Sequence, residues 1–329
     1  MLIDIGSRIM PIGKWMPARC VPVTVLLALL AARVPTARSQ DAAPQDPVFP
    51  RALVEFKPDR NNPVFRGAGP GHWDALIRER GWILREGDKY RMWYTGYRDR
   101  RGGKMALGLA TSTDGIHWKR HSEKPIYDQH WVEDMIVVPH DGMYYMFAEG
   151  RHDRAQLLRS KDGVTWQRVG TLDIRLADGR PIPPGPFGTP TAWYDAKQKT
   201  WYLMYERRDE GIWLATSRDM KVWTNVQDDP VMRPGPAEHE REMIALNQVI
   251  RYGGRYYAYY HGRGAAPYWS TNIATSTDLL HWTKYEGNPL QPARQNKSSG
   301  IVVHDGKRFR LYTMHPAVHL HWGPESPAP

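Results

Sequence analysis

The sequence predicts an all-β fold, a five-bladed β-propeller of four-stranded antiparallel blades. Three observations predict it: a box Ser-x-Asp-x-x-x-Trp that occurs four times, a pair of strand-like segments before each box, and a fifth such pair with no box behind it. Repeats of this length mark architectures in which each unit buries its apolar face only against its neighbours.

In chain order, the N-terminus comes first. Lys14 and Arg19 precede the apolar run VPVTVLLALLAA (21–32), and the small-residue site Ala37-Arg38-Ser39 follows, so residues 1–39 read as a secretory signal peptide. Twelve apolar residues are too few to span a bilayer. Cys20, the one cysteine, precedes the apolar run, which argues against a lipoprotein anchor. Cleavage near Ser39 would leave no disulfide and no thiolate chemistry. Residues 40–52 read as a linker and 53–329 as a single propeller domain.

The boxes are STDGIHW (112–118), SKDGVTW (160–166), SRDMKVW (217–223) and STDLLHW (276–282), with their Ser residues 48, 57 and 59 positions apart. Before each lie a strand, a polar turn and an aromatic-rich second strand: GWILREGDKYRMWYTG (81–96), MIVVPHDGMYYMFAEG (135–150), PTAWYDAKQKTWYLMYER (190–207) and ALNQVIRYGGRYYAYYHG (245–262). A third strand then enters the box. Pro125, Pro230 and Pro289 each fall seven residues after a box Trp. The fifth unit begins at SSGIVVHDGKRFRLYTMH (298–315), and Asn62-Pro63-Val64 repeats the Asn288-Pro289-Leu290 that follows the fourth box. An N-terminal strand near LVEFKP (53–58) should therefore complete the last blade and close the ring, leaving only short edges. The boxes themselves are structural: Ser and Asp bond turn amides while Trp packs between blades.

In such a blade the start of the first strand and the end of the second share one rim, and these columns converge on an axial pocket. The second-strand column reads Thr95, Glu149, Glu206, His261 and Met314. The first-strand column holds Glu79-Arg80, Glu133-Asp134, Gly188-Thr189 and the neighbourhood of Leu246. Of Glu133 and Asp134 only one faces the channel, because neighbouring strand residues point to opposite faces. Asp134 is the expected pocket residue, and Glu133 the expected partner of a nearby Arg.

The repeated blade, the box and an acid opening the first strand of blade two together resemble the five-bladed propeller glycosidases of families 43, 32, 62, 117 and 130, over roughly residues 55–322. The resemblance implies a carboxylate from blade one, a second from blade two and a general acid nearer blade three. Asp134 matches the blade-two position. Asp74, in GHWDALIRERG (71–81), is the blade-one candidate and Glu79 its rival. Blade three begins GTPTAW (188–193) and lacks the Glu expected from families 43 and 32, so Glu206 is the candidate general acid, ahead of Glu149 and Glu242. Glycosidic cleavage needs one protonated and one ionised carboxyl, a condition that crowded acids in a dry pocket supply. His261, Arg80 and Thr189 are candidate contacts to sugar, and Trp73 a candidate stacking platform. The insertion RLADGRPIPPGPFGTP (175–190) and the loop GAGPGHW (67–73) are expected to wall the pocket.

No cofactor is expected; a structural calcium ion in the central channel is compatible with this fold type. His319 and His321 in HLHW (319–322) have no third ligand in view for zinc. The formal charge is +10, but residues 1–39 carry five basic residues against one acid, which leaves about +6 on the remainder. The Lys and Arg are scattered, so a nucleic-acid partner is not expected, whereas an anionic glycan stays open. The choice of 14 Trp and 17 Tyr against 6 Phe favours half-wet sites such as a sugar cleft. The resulting expectation is a secreted or periplasmic exo-acting glycoside hydrolase with a carbohydrate substrate. Its rivals are a phosphorylase or transglycosylase on the same scaffold, since WVEDM resembles the Glu-Asp stretch of mannoside phosphorylases, and a non-catalytic sugar-binding propeller. The oligomeric state is not legible.

Overall fold

The computed structural model describes residues 48–99 and 103–329. The expected signal peptide, Cys20 and most of the expected linker lie outside the described residues. The described residues form one compact unit. Five small sheets make the five blades, and in each the first three strands pair antiparallel with their neighbours in sequence. Blade two is the plainest: Glu133–His140, Met143–Gly150, Arg154–Ser160 and Gln167–Thr171. Blade three gains a fifth strand, Asp173–Arg175, running parallel to Val222–Asn225.

The boxes build the seams between blades. Ser112 Oγ accepts the amides of Asp114 and Gly115, and Asp114 Oδ1 accepts those of Ile116 and His117. The boxes at 160–166 and 276–282 repeat these bonds. Each freed Trp packs against the preceding blade at one equivalent second-strand position: Trp118 on Tyr312, Trp166 on Trp93 and Trp223 on Phe147, with ring centroids 5.7–6.5 Å apart and nearly perpendicular. Trp282 joins the cluster around Met204, the same position in blade three.

Blade five has no box, and the N-terminal segment does its work. Phe49, Leu53 and Phe56, on and around the short helix Arg51–Val54, bury themselves against Tyr257, Tyr259 and Leu311. Tyr259, at the position that receives a box Trp elsewhere, donates its hydroxyl to the Leu53 carbonyl at 2.8 Å. Residues 48–52, expected as the end of a linker, are therefore packed structure, because the seam between blades four and five needs an apolar filler. Lys57–Pro58 and Phe65–Arg66 then pair with Ala317–Glu325 and close the ring as expected. The two Asn-Pro segments do equivalent jobs: Asn62 brackets the backbone of Leu320, and Asn288 that of Ile273, each through both ends of its amide.

Candidate functional site

The rim is built by a bulge repeated around the ring. In blades two, three and four the pairing of first and second strands slips by one residue at Glu133/Ile136, Gly188/Thr191 and Leu246/Gln248. Such a bulge re-aims side chains that a regular strand would send to the opposite face. The equivalent residues are Asp134, Thr189 and Leu246, with Ser299 at the same offset in blade five. Three of them, Asp134 (φ 45°), Thr189 (φ 44°) and Ser299 (φ 57°), are in the left-handed region that L-residues seldom occupy. In blade one the distortion is larger: Leu76–Ile77 and Trp82–Glu86 both pair with the second strand, so the four residues 78–81 face only Tyr94 and Thr95.

Arg80, which replaces the acid of blade two in this column, is fully buried and sits on the axis. Its guanidinium donates to the carbonyls of Asp134, Pro190, Leu246 and Asn247 and to Thr191 Oγ1, so it ties blades two, three and four together. Burial lowers its pKa to about 10, opposed by the Asp134 and Glu149 carboxylates, so it is charged at neutral pH. A guanidinium in that place does not fit a calcium ion, and among the described residues no group of three or more His, Cys, Asp and Glu is arranged to hold a metal. Arg80, expected as a sugar contact, is instead a pin beneath the site.

Above it lies a cavity of about 180 Å³ lined by Arg78, Glu79, Asp134, Glu149, Asp153, Pro186, Thr189, Glu206, Arg208, Asp209, His261 and Trp269. A larger cleft of about 410 Å³ at Trp193, Tyr194 and Tyr256 has a single lining acid, Asp195, so convergent carboxyls and not size mark the site. Asp134 is buried, and its Oδ1 has no hydrogen-bond partner. Burial holds its pKa well above the carboxylate range, reinforced by repulsion from Glu79 and Glu133 and opposed by Arg80. Glu133 turns away: Arg78 Nε donates to its Oε2 at 2.7 Å, and Trp131 Nε1 donates to its Oε1. Arg78 also approaches Glu79 at 3.3 Å, and burial raises the Glu79 pKa.

Glu149 and Glu206 meet across Gly188. A methyl group on Gly188 would fall 2.1 Å from Glu149 Oε2 and 2.7 Å from Glu206 Oε1, so those oxygens lie within about 5 Å of each other, and only glycine fits between them. Burial, then repulsion from Asp134, Glu133 and Glu206, raises Glu149 well above its ordinary value, against one amide bond from Thr189. Glu206 rises to about 7 through burial and the charge of Asp209, although its Oε2 accepts the Asp209 amide at 2.7 Å. Asp209 itself rises to about 6 by burial and the nearness of Asp153. His261 is held neutral, at about 3, by burial and by Arg80; its Nδ1 pairs with Asn247 Oδ1, and Trp269 packs edge-on.

Three candidates fall elsewhere. Asp74 accepts from Tyr94 Oη at 2.9 Å and forms a partly buried ion pair with Arg120 Nε at 2.7 Å, outside the cavity lining; the loop that carries it folds back on blade one, and Glu79 supplies the blade-one carboxyl. Trp73 lies flat on Tyr94 at 5.9 Å, a packing contact, so GAGPGHW does not wall the pocket. Glu242 is exposed, its amide bonded to the Arg263 carbonyl. The 175–190 insertion does reach the cavity, through Pro186 and Thr189. Asp153 and Asp209 were not anticipated. Both sit in the turn just past a second-strand acid, in left-handed conformation, and following the column three or four residues further would have found them.

Fold and site define a glycoside-hydrolase-like five-bladed propeller with an acidic axial pocket. The chain resembles a glycosyl hydrolase from Bacteroides ovatus (TM-score 0.66, 17% identity, 83% of this chain and 94% of that one). It also resembles β-1,2-mannobiose phosphorylase from Listeria innocua (TM-score 0.63, 13% identity, 82% and 96%). A further neighbour comes from work on mannoside phosphorylases and β-1,2-mannosidic hydrolases of family 130 (TM-score 0.64, 17% identity, 83% and 95%). In sequence, 153 residues are 31% identical to a 1,2-β-oligomannan phosphorylase of Thermoanaerobacter sp. strain X514, covering 43% of this chain; the chain spans about half that relative's length, 47%. An uncharacterized protein of Mycobacterium tuberculosis is 24% identical over 225 residues, 61% of this chain and 72% of that one. No family model matches the chain.

Proposed function

We propose that this protein is an exported glycoside hydrolase that removes the terminal sugar from the non-reducing end of a glycan, with β-1,2-linked mannosides the first substrates to try. The observation that carries this reading is the Asp134 carboxyl, buried, unpartnered at Oδ1 and facing a cavity of about 180 Å³ shared with Glu79, Glu149, Glu206 and Asp209. A binding module would satisfy such a group or keep it wet, because an unpaired buried carboxyl destabilises the fold. A cavity of this size suits one sugar ring, which favours exo action. In the proposed chemistry, the raised carboxyls keep at least one acid protonated near neutral pH for the leaving oxygen. Asp134 and Glu206 are the proposed acid and base pair, with Glu149 and Glu79 setting their charge and Thr189 and His261 offered to sugar hydroxyls.

Phosphorolysis is the second reading, favoured by the partial likeness to the 1,2-β-oligomannan phosphorylase and by Arg78 and Arg208 in the lining. Export argues for hydrolysis, since phosphorolysis profits a cell where phosphate is abundant and the sugar phosphate is recovered. The test is release of sugar from β-1,2-mannobiose, other oligosaccharides and aryl glycosides, with and without phosphate. Free sugar released without phosphate, and lost in Asp134→Asn, supports the proposal; strict phosphate dependence with sugar 1-phosphate as product replaces it with the second reading; no turnover on any substrate leaves the binding module.

A further inference from the structure

Beside the acidic cavity lies a second one of about 490 Å³ with the opposite charge. Lys104, Arg151, Arg154 and Arg168 line it together with His130 and Trp131. Its cations are unevenly held. Arg168 donates to Gln156 Oε1 at 2.7 Å and to Thr171, and Lys104 pairs with Asp128 at 3.3 Å. Arg151 and Arg154 have no carboxylate within ion-pair distance among the described residues; they lie over the rings of Trp131 (5.9 Å) and Phe187 (5.8 Å). An arginine resting on an aromatic face keeps its edge N–H groups free, the arrangement that suits a planar or tetrahedral oxyanion. The two cavities share one turn. Residues 150–154 carry Asp153 into the acidic cavity and Arg151 and Arg154 into the basic one, while Trp131 bonds Glu133, whose other oxygen accepts from Arg78 of the acidic cavity.

We propose that the basic cavity is a subsite for an anionic substituent, a carboxylate, phosphate ester or sulfate ester, on the glycan whose terminal unit enters the acidic cavity. The acidic cavity repels such a group and the basic one attracts it, so the pair selects a neutral terminal sugar followed by a charged unit. That the ligand is a glycan rests on the proposed function; that the site takes an oxyanion does not.

The test is calorimetric binding to the full-length Asp134→Asn protein of three trisaccharides with a neutral terminal mannose and a second unit that carries a carboxylate, a 6-phosphate or a 6-sulfate, beside neutral mannotriose, at low and at high salt. At least one anionic probe should bind about tenfold or more tighter than mannotriose at low salt, lose that advantage at high salt, and lose it again in the added pair Arg151→Gln/Arg154→Gln. The probe that gains identifies the group. The pair is exposed, and its thermal melt checks folding. Anionic probes that bind no tighter than mannotriose, or a preference that survives the double substitution, overturn the proposal. So does acceleration of neutral-mannoside turnover by inorganic phosphate that the double substitution abolishes, because the cavity would then hold a co-substrate. Turnover of neutral glycans without charge preference sinks this subsite alone; charge-dependent binding with no turnover of any glycan sinks the hydrolase reading alone.

Discussion

Replacing Asp134 by Asn should make the protein more stable and less active at once. Asn has the same shape and tolerates the left-handed backbone (φ 45°) nearly as well as Asp, so the bulge and the Arg80 bond to the residue-134 carbonyl stay in place. What changes is the charge of a buried carboxyl whose Oδ1 has no partner. Because burial and the neighbouring acids raise its folded-state pKa, wild-type Asp134 weakens the fold as pH climbs from its unfolded value near 3.9, at up to about 1.4 kcal/mol per pH unit until the folded value is passed. Removing that charge-linked penalty between pH 3.9 and 7 is worth on the order of 1–4 kcal/mol. At about 2–4 °C per kcal/mol for a domain approaching this size, the melting temperature at pH 7 should rise by several degrees. The gain should fade as pH falls through 4 and vanish near pH 3, where the wild-type carboxyl is protonated in both states. Turnover should fall by about 10²–10⁴-fold, the contribution of a positioned acid or base. Thermal melts at pH 3 and pH 7 and initial rates on the best substrate read both effects. A strand cap would show the reverse, with stability lost and rate kept, and that outcome would refute the assignment; so would no change in either.

Further outcomes follow from the same geometry. Glu206, raised to about 7, and Asp209, raised to about 6, should make the rate fall as pH rises through 7 if Glu206 donates the proton, and Glu206→Gln should remove that limb; a profile flat from pH 5 to 8 excludes it. Gly188→Ala drives a methyl into Glu149 and Glu206, so it should lower stability by about 1–3 kcal/mol and cut kcat more than it raises KM. Asp74→Asn breaks the partly buried pair with Arg120 and should shift the melt downward while kcat of the folded enzyme stays within about threefold; a loss like that of Asp134→Asn would return Asp74 to the site. Leu53→Ala, in the seam between blades four and five, should lose about 2–5 kcal/mol, which a mere tether at residues 48–56 would not.

Much of the scaffold is legible because its parts repeat. The Ser-x-Asp turn and its Trp use local bonds that leave a pattern of fixed spacing, and four copies reveal the blade, its register and the rim to which Asp134, Glu149 and Glu206 belong. The departures come where the ring is not periodic. In blade one the four residues 78–81 oppose two, which brings Glu79 and Arg78 to the cavity and leaves Asp74 on the far side of a folded-back loop. No spacing rule shows an insertion of that kind, since period-two alternation resumes correctly at Trp82. The sealing role of Phe49–Phe56 is likewise visible only once the blade-five seam is seen to lack a Trp.

The same symmetry explains how so many acids can share one cavity. Five blades present five equivalent first-strand positions, filled by Arg80, Asp134, Thr189, Leu246 and Ser299. A ring of identical acids there would repel itself apart, and a ring of apolar residues would do no chemistry. One arginine at the axis, bonded to the carbonyls of three other blades, adds a positive charge beneath the acids and fixes the backbone that carries Asp134 and Thr189. It is too well satisfied by carbonyls to neutralise any single carboxyl, so the acids remain perturbed. The raised pKa values of the pocket thus reflect an incomplete compensation: enough positive charge to hold the blades together, too little to return Asp134, Glu149 and Glu206 to ordinary carboxylates.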